Sequence, residues 1–210
     1  MRRVGKILLV ICCVLFLFST AVVLTLACRP LYYHDVRSLH IEEMSGYSEE
    51  EIRENYDALI DYNLSPFIKT LEFPTLAMSR EGEIHFREVK SIFQRLLWMA
   101  LITGLIAVIG TVGRIRKRDL SYLRYVGIAS LVIPAGLGAL IALNWERAFV
   151  MFHELVFDND YWLFDAVTDP VITILPDAFF MHCTLMILGL IAVQAVGCIL
   201  ASMRGKDAGL

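Results

Sequence analysis

Two histidines, His85 and His153, are the side chains best placed to do chemistry in this sequence. An unperturbed imidazole titrates near pH 6.5, so it can take and return protons near neutrality. His153 sits in the segment 144–180, which mixes aromatics and acids between two strongly apolar stretches. That segment is longer and greasier than an ordinary connector, which is short and polar. Within it Trp145, Phe149, Phe152 and Val156 share one helical face, with His153 beside it. His85 falls on a second helical pattern with Val89, Ile92, Phe93 and Leu96, and so points where the apolar residues point. Two readings are open. A histidine on an aromatic face is commonly a satisfied structural residue, whereas two at matched height on adjacent helices suit general acid–base work.

Other chemistries find no support. His153-Glu154 begins a His-Glu-x-x-His pattern, but Phe occupies position 157, so the second zinc ligand is missing. Asp158-Asn159-Asp160 lacks the glycine and distal glutamate of a calcium loop and reads as a turn. No nucleophile elbow and no phosphate-cradling glycine loop is present. His34 and His40 lie in a weakly patterned stretch and His182 near the end of an apolar run, positions that read as structural or exposed. No metal, cofactor or nucleic-acid partner is expected.

The elements that must position the pair are membrane helices. Of 210 residues 57% are hydrophobic, and the mean hydropathy is +0.61. Four runs, 7–27, 96–113, 125–143 and 178–203, contain no Asp, Glu, Lys or Arg. Each is about long enough to cross a ~30 Å hydrocarbon core as a helix. The run 7–27, preceded by Arg2, Arg3 and Lys6, exceeds the usual length of a signal-peptide core and is read as a retained anchor. Arg114, Arg116, Lys117, Arg118 and Arg124 flank the turn between the second and third runs, and Arg204 and Lys206 follow the fourth. By the positive-inside rule these three groups face the cytoplasm. Only Asp119 and Asp207, among the acidic residues, lie outside the intervening segments 28–95 and 144–177. The expected fold is an all-α membrane protein. It has four transmembrane helices, both termini cytoplasmic, and two extracytoplasmic loops carrying short amphipathic helices, in a single membrane domain.

Within the first loop Ser48 and Glu51 form a capping-box signal, and Ile52, Tyr56, Leu59 and Ile60 follow at helical spacing. Ser79 to Gly82 reads as a turn, with a helix running from Glu83 into the second span. Pro170 starts a short helix, and Pro176-Asp177 restarts one into the fourth span, so 170–175 is read as a re-entrant or interfacial segment. Cys28 and Cys183 both fall at outer span ends, but nothing in the spacing requires them to pair. The second and third spans are joined by a short turn and are expected to be antiparallel neighbours. His85 lies 11 residues before the second charge-free run and His153 10 residues after the third, at similar height. In straight helices that height would be ~15 Å beyond the charge-free boundary.

The sequence resembles the bacterial lipoprotein intramolecular transacylases, small four-span membrane proteins. Asn55-Tyr56, the run 78–90 around His85, Phe152-His153-Glu154-Leu155-Val156-Phe157 through Trp162, Thr168-Asp169-Pro170 and the stretch 176–180 carry the resemblance. Glu88 departs from the Asp expected there, and 29–47 and the tail carry little of it. The resemblance implies migration of the sn-2 acyl chain of a diacylated lipoprotein to the α-amino group of its N-terminal cysteine. It further implies a site in the bacterial cytoplasmic membrane, facing outward, with membrane lipids around it. His85 and His153 would then be the catalytic pair, His85 the preferred base and His153 the proton donor or oxyanion partner, with exchange of roles left open. Arg87, Lys90, Glu154, Trp162 and Asp169 are candidate supports for substrate or oxyanion, although for Arg87 and Glu154 pairing across the two helices is the preferred explanation. The competing reading is a non-catalytic membrane adaptor whose outer loops bind a partner protein, and the third a metal-dependent hydrolase. Oligomeric state is left open.

Overall fold

Each charge-free run lies inside a long helix of the computed structural model, which describes residues 2–116 and 119–207. In chain order the elements are α1 (Arg2–Ala27), α2 (Arg29–Ser38), α3 (Ile41–Ser45), α4 (Glu49–Leu64), α5 (Arg80–Ile115), α6 (Tyr122–Leu143), α7 (Trp145–Val156), α8 (Val171–Ile174) and α9 (Asp177–Asp207). No strand occurs among the described residues. Four helices, within α1, α5, α6 and α9, are long and apolar enough to cross a membrane. Lys117 and Arg118 of the basic turn lie outside the described residues.

The chain divides into two compact units. The first comprises 1–23, 96–143 and 185–210. Its buried cluster is Leu9, Cys13, Ala107, Tyr122 and Val126. Close helix approach depends on small residues: a Cβ on Gly127 would lie 2.6 Å from the Ala195 carbonyl oxygen. Leu101, Leu105, Val108, Ile109 and Val112 form an exposed apolar stripe along α5, as a lipid-facing surface requires. Arg114 pairs with Asp119 at 2.7 Å, which in turn accepts a 2.6 Å hydrogen bond from Ser121.

The second unit, 24–95 and 144–184, carries both histidines of interest. Its core is aromatic. Tyr32 stacks on Tyr56 with centroids 3.7 Å apart, Phe179 meets both edge-on, and the Tyr32 hydroxyl donates to the Ile174 carbonyl at 2.7 Å. The capping box forms as the sequence predicts, with Ser48 accepting from the Glu51 amide and Glu51 from the Ser48 amide. Asn55, fully buried, donates to Thr75 Oγ1 at 2.7 Å and accepts from the amides of Thr75 and Leu76. It thereby ties the 65–79 connector to α4.

Several sequence expectations change in detail. The stretch after the first span is helical from Arg29: Pro30 sits in the first turn of α2, where a missing N–H costs little, and Tyr32, Asp35 and Val36 form its buried face. The predicted turn at 79–82 is instead the start of α5, three residues earlier than Glu83. Ser79 accepts from the Gly82 amide through Oγ and from the Glu83 amide through its carbonyl, as an N-cap does. In 170–175, Val171, Ile174 and Leu175 are buried in the aromatic core. All five cysteines are free.

Candidate active site

His85 and His153 come together. Their ring centroids lie 6.3 Å apart, with the planes inclined by 30°. α5 delivers His85 from its second turn. The α6 helix ends at Leu143 and does not continue to His153: Asn144 adopts extended backbone and caps α7 by accepting from the Arg147 amide at 2.9 Å.

The surroundings are aromatic. His85 is 6% exposed and lies against Phe157 at 4.8 Å and Phe164 at 5.3 Å between centroids. His153 is half-buried, with Phe149 at 4.2 Å, Trp162 at 4.7 Å in a near-parallel stack, and Phe157 at 5.7 Å. Phe157, the residue that breaks the zinc pattern, is thus the wall shared by both rings. Burial disfavours the charged imidazolium. It lowers His85 from 6.5 to about 4, with a smaller contribution from the neighbouring His153. Burial lowers His153 as well, and the Phe149 carbonyl and Asp177 offset part of that effect.

Hydrogen bonding distinguishes the two rings. His153 Nδ1 lies 2.8 Å from the Phe149 carbonyl oxygen. A carbonyl can only accept, so Nδ1 carries the proton and Nε2 of the neutral ring keeps its lone pair. His85 Nδ1 is buried with no partner, and so is the indole Nε1 of Trp162. Both atoms belong to the aromatic box around the histidine pair, and each can hydrogen-bond a bound group.

The candidate supports do not all gather here. Trp162 does, stacked on His153. Arg87 and Lys90 do not: at 100° per residue they project roughly 140–160° around α5 from His85. Arg87 is exposed and pairs loosely with Glu83 at 3.9 Å, not with Glu154 across the helices. Lys90 donates to the Ile68 carbonyl and lies over the Tyr62 ring at 3.9 Å. Glu154 is exposed on α7. Asp169 is buried, and both its oxygens are engaged: Oδ1 accepts from the Ser79 amide and Oδ2 from the Thr168 hydroxyl, each at 2.8 Å. It closes the N-terminus of α5, where a carboxylate is favoured by the helix dipole. Gly82 makes room for it, since a Cβ there would lie 2.2 Å from Asp169 Oδ1.

Two other contacts escape a reading of the sequence. Glu88 accepts from Asn159 Nδ2 at 3.0 Å, tying the 158–164 turn, and hence Trp162, to α5. Asp35, with a side chain 1% exposed, accepts a 2.8 Å hydrogen bond from His182 Nδ1. The apolar spacing of Tyr32 and Val36 around Asp35 is the signal that could have exposed α2; nothing local announces its partner 147 residues away. No cluster of three or more His, Cys, Asp or Glu able to hold a metal occurs among the described residues.

A multi-pass membrane protein with two apposed histidines in an aromatic box, neither ion-paired to a carboxylate among the described residues, is the class that fold and site define. The sequence model of the lipoprotein intramolecular transacylase family, Lit, matches residues 7–180. Among solved structures, the membrane-integral lipoprotein intramolecular transacylase of Bacillus cereus is 35% identical, with a TM-score of 0.95 over 99% of this chain and 96% of that one. The B. cereus protein with one histidine replaced by arginine is also similar, at 34% identity, a TM-score of 0.87, and coverage of 99% and 92%. Its counterpart with a histidine replaced by alanine matches at the same identity and TM-score, covering 99% and 94%. No curated protein matches. The chain belongs to the lipoprotein intramolecular transacylase family.

Proposed function

We propose that this chain moves the sn-2 acyl group of a diacylglyceryl-modified lipoprotein to the α-amino group of the same molecule's N-terminal cysteine. The amine nitrogen attacks the ester carbonyl, the new N–C bond forms, and the C–O bond to the glyceryl group breaks. The amine's proton ends on the released sn-2 hydroxyl. Donor and acceptor travel on one molecule, so positioning replaces a second substrate. An ester becomes an amide, and the balance needs neither cofactor nor protein nucleophile.

His153 is the better base, reversing the order of preference drawn from the sequence. Its Nδ1 is committed to the Phe149 carbonyl, which leaves Nε2 as the acceptor. His85, held neutral by burial with a pKa near 4, is a poor base but a suitable hydrogen-bond donor to the tetrahedral oxyanion. The unpaired Trp162 indole N–H is a second such donor. The proton taken by His153 then returns to the leaving glyceryl oxygen. The apposition of the two rings, with centroids 6.3 Å apart, carries this reading, because rings that close can both hydrogen-bond one reacting centre. The basic flanks of the spans support a cytoplasmic placement of both termini, and hence a site facing outward from a bacterial cytoplasmic membrane.

An isotope crossover tests the reaction. Purified protein is mixed with two synthetic diacylglyceryl-cysteine peptides, one labelled in the sn-2 acyl chain and one in the peptide. N-acyl lyso products that keep each label on its own molecule support the proposal. Doubly labelled product at statistical levels, or no N-acyl lyso product at all, refutes it.

A further inference from the structure

On the face of α5 turned away from His85 lies an open cavity of about 310 Å³, lined by Tyr62, Lys69, Arg87, Lys90, Ser91 and Gln94. Three of these residues are cationic. Lys90 is fixed at the wall by the Ile68 carbonyl below and the Tyr62 ring at 3.9 Å. Lys69 donates to the Pro66 carbonyl at 3.0 Å. The carboxylate on this face is Glu83, which meets Arg87 at 3.9 Å. Neither lysine has an ion-pair partner among the described residues. Burial and the nearby Lys69 both lower the Lys90 pKa, as expected of like charges gathered without a counter-ion.

The height of the cavity is set by sequence. Arg87, Lys90 and Gln94 precede the charge-free run at 96, so they lie within ~14 Å of its start along α5. Beside them the 66–69 connector presents Phe67, 86% exposed, and Ile68, 39% exposed. An apolar tip next to lysines is the arrangement of a segment that rests in the headgroup region, with rings in the acyl boundary and ammonium groups among phosphates.

We infer that this cavity binds the phosphate of an anionic phospholipid, with Lys69, Arg87 and Lys90 as its cationic ligands and Phe67 and Ile68 against its acyl chains. The site is separate from the histidine pair and goes beyond the acyl-transfer proposal. It would give the enzyme a preference for anionic bilayers.

Native mass spectrometry of the full-length protein, offered phosphatidylglycerol and phosphatidylcholine in equal amounts, provides the test. The wild type should retain phosphatidylglycerol preferentially, and Lys69→Gln/Lys90→Gln should lose that preference by on the order of tenfold. Arg37→Gln, which removes an exposed cation on α2, serves as the charge control and should keep it. Lys69→Gln alone, on an exposed side chain, gives a severalfold loss and keeps the test decisive should the double variant fail to fold. Equal retention of the two lipids by the wild type, or undiminished preference in the lysine variants, overturns the inference. So does displacement of the lipid by millimolar inorganic phosphate, which would make this a site for free phosphate. Acyl-transfer rates decide none of these outcomes, so failure here leaves the histidine proposal standing.

Discussion

The second unit holds two pairs built around histidine, and they are constructed in opposite ways. His182 rests its Nδ1 on a fully buried carboxylate, Asp35, between α9 and α2. His85 and His153 have no carboxylate partner; they face each other among Phe149, Phe157, Phe164 and Trp162. A buried carboxylate fixes an imidazole and satisfies itself, so Asp35–His182 holds two helices together. An aromatic box instead disfavours the charged imidazoles by burial, the kind of perturbation that clusters at functional sites.

That contrast is open to direct attack. The largest effect is expected from a cycle of His85→Ala, His153→Ala and the double variant, read as initial rates on a diacylglyceryl-cysteine peptide. Each single change should cost ~100- to 10,000-fold, and the double should cost little more than either, because groups acting on one reacting centre are not additive. Costs that multiply independently would separate the two rings. Trp162→Phe keeps an aromatic ring against His153 but removes the N–H together with part of the stacked area; kcat should fall by ~100-fold with KM nearly unchanged. If instead KM rises and kcat holds, Trp162 binds substrate and does not stabilise charge.

Stability predictions sharpen the other side. Between pH 6.5 and about 4 an unfolded His85 binds a proton that the folded one refuses. Stability is therefore full above pH 6.5 and is lost as pH falls toward 4, by up to about 3 kcal/mol. Chemical denaturation across this range should show that slope in the wild type, and His85→Gln should reduce it, leaving the smaller contribution of His153. His182→Ala strands the Asp35 carboxylate and should cost about 2 kcal/mol, while the rate per folded molecule stays within severalfold of wild type. A loss of rate as deep as that of the His153 variant would erase the distinction between the pairs. Gly82→Ala pushes a methyl toward Asp169 Oδ1 and should cost about 1–2 kcal/mol in the same denaturation assay.

How much of this could be read from the residues depends on the range of the interaction. Spans, capping box and short helices follow from local composition, and the matched positions of His85 and His153 follow from one short turn between two helices. The supporting roles fared differently. Arg87 and Lys90 lie near His85 in sequence but on another face of α5, a distinction that helical angle alone could have revealed. Asp169 looked like a charge available for catalysis because its partners, the Ser79 amide and the space left by Gly82, lie some 90 residues away. The Asp35–His182 and Glu88–Asn159 contacts join segments whose separation in sequence hides them. Long-range satisfaction of polar groups is what tertiary packing adds, and it decides which charges remain free to act.

The most direct measurement of the central claim is the mass of a lipoprotein's N-terminal peptide from cells carrying the wild type, His85→Ala or His153→Ala. The account predicts N-acyl lyso-form peptide with the wild type and the unchanged diacylglyceryl form with either variant. N-acyl lyso peptide at normal levels with both variants would contradict it.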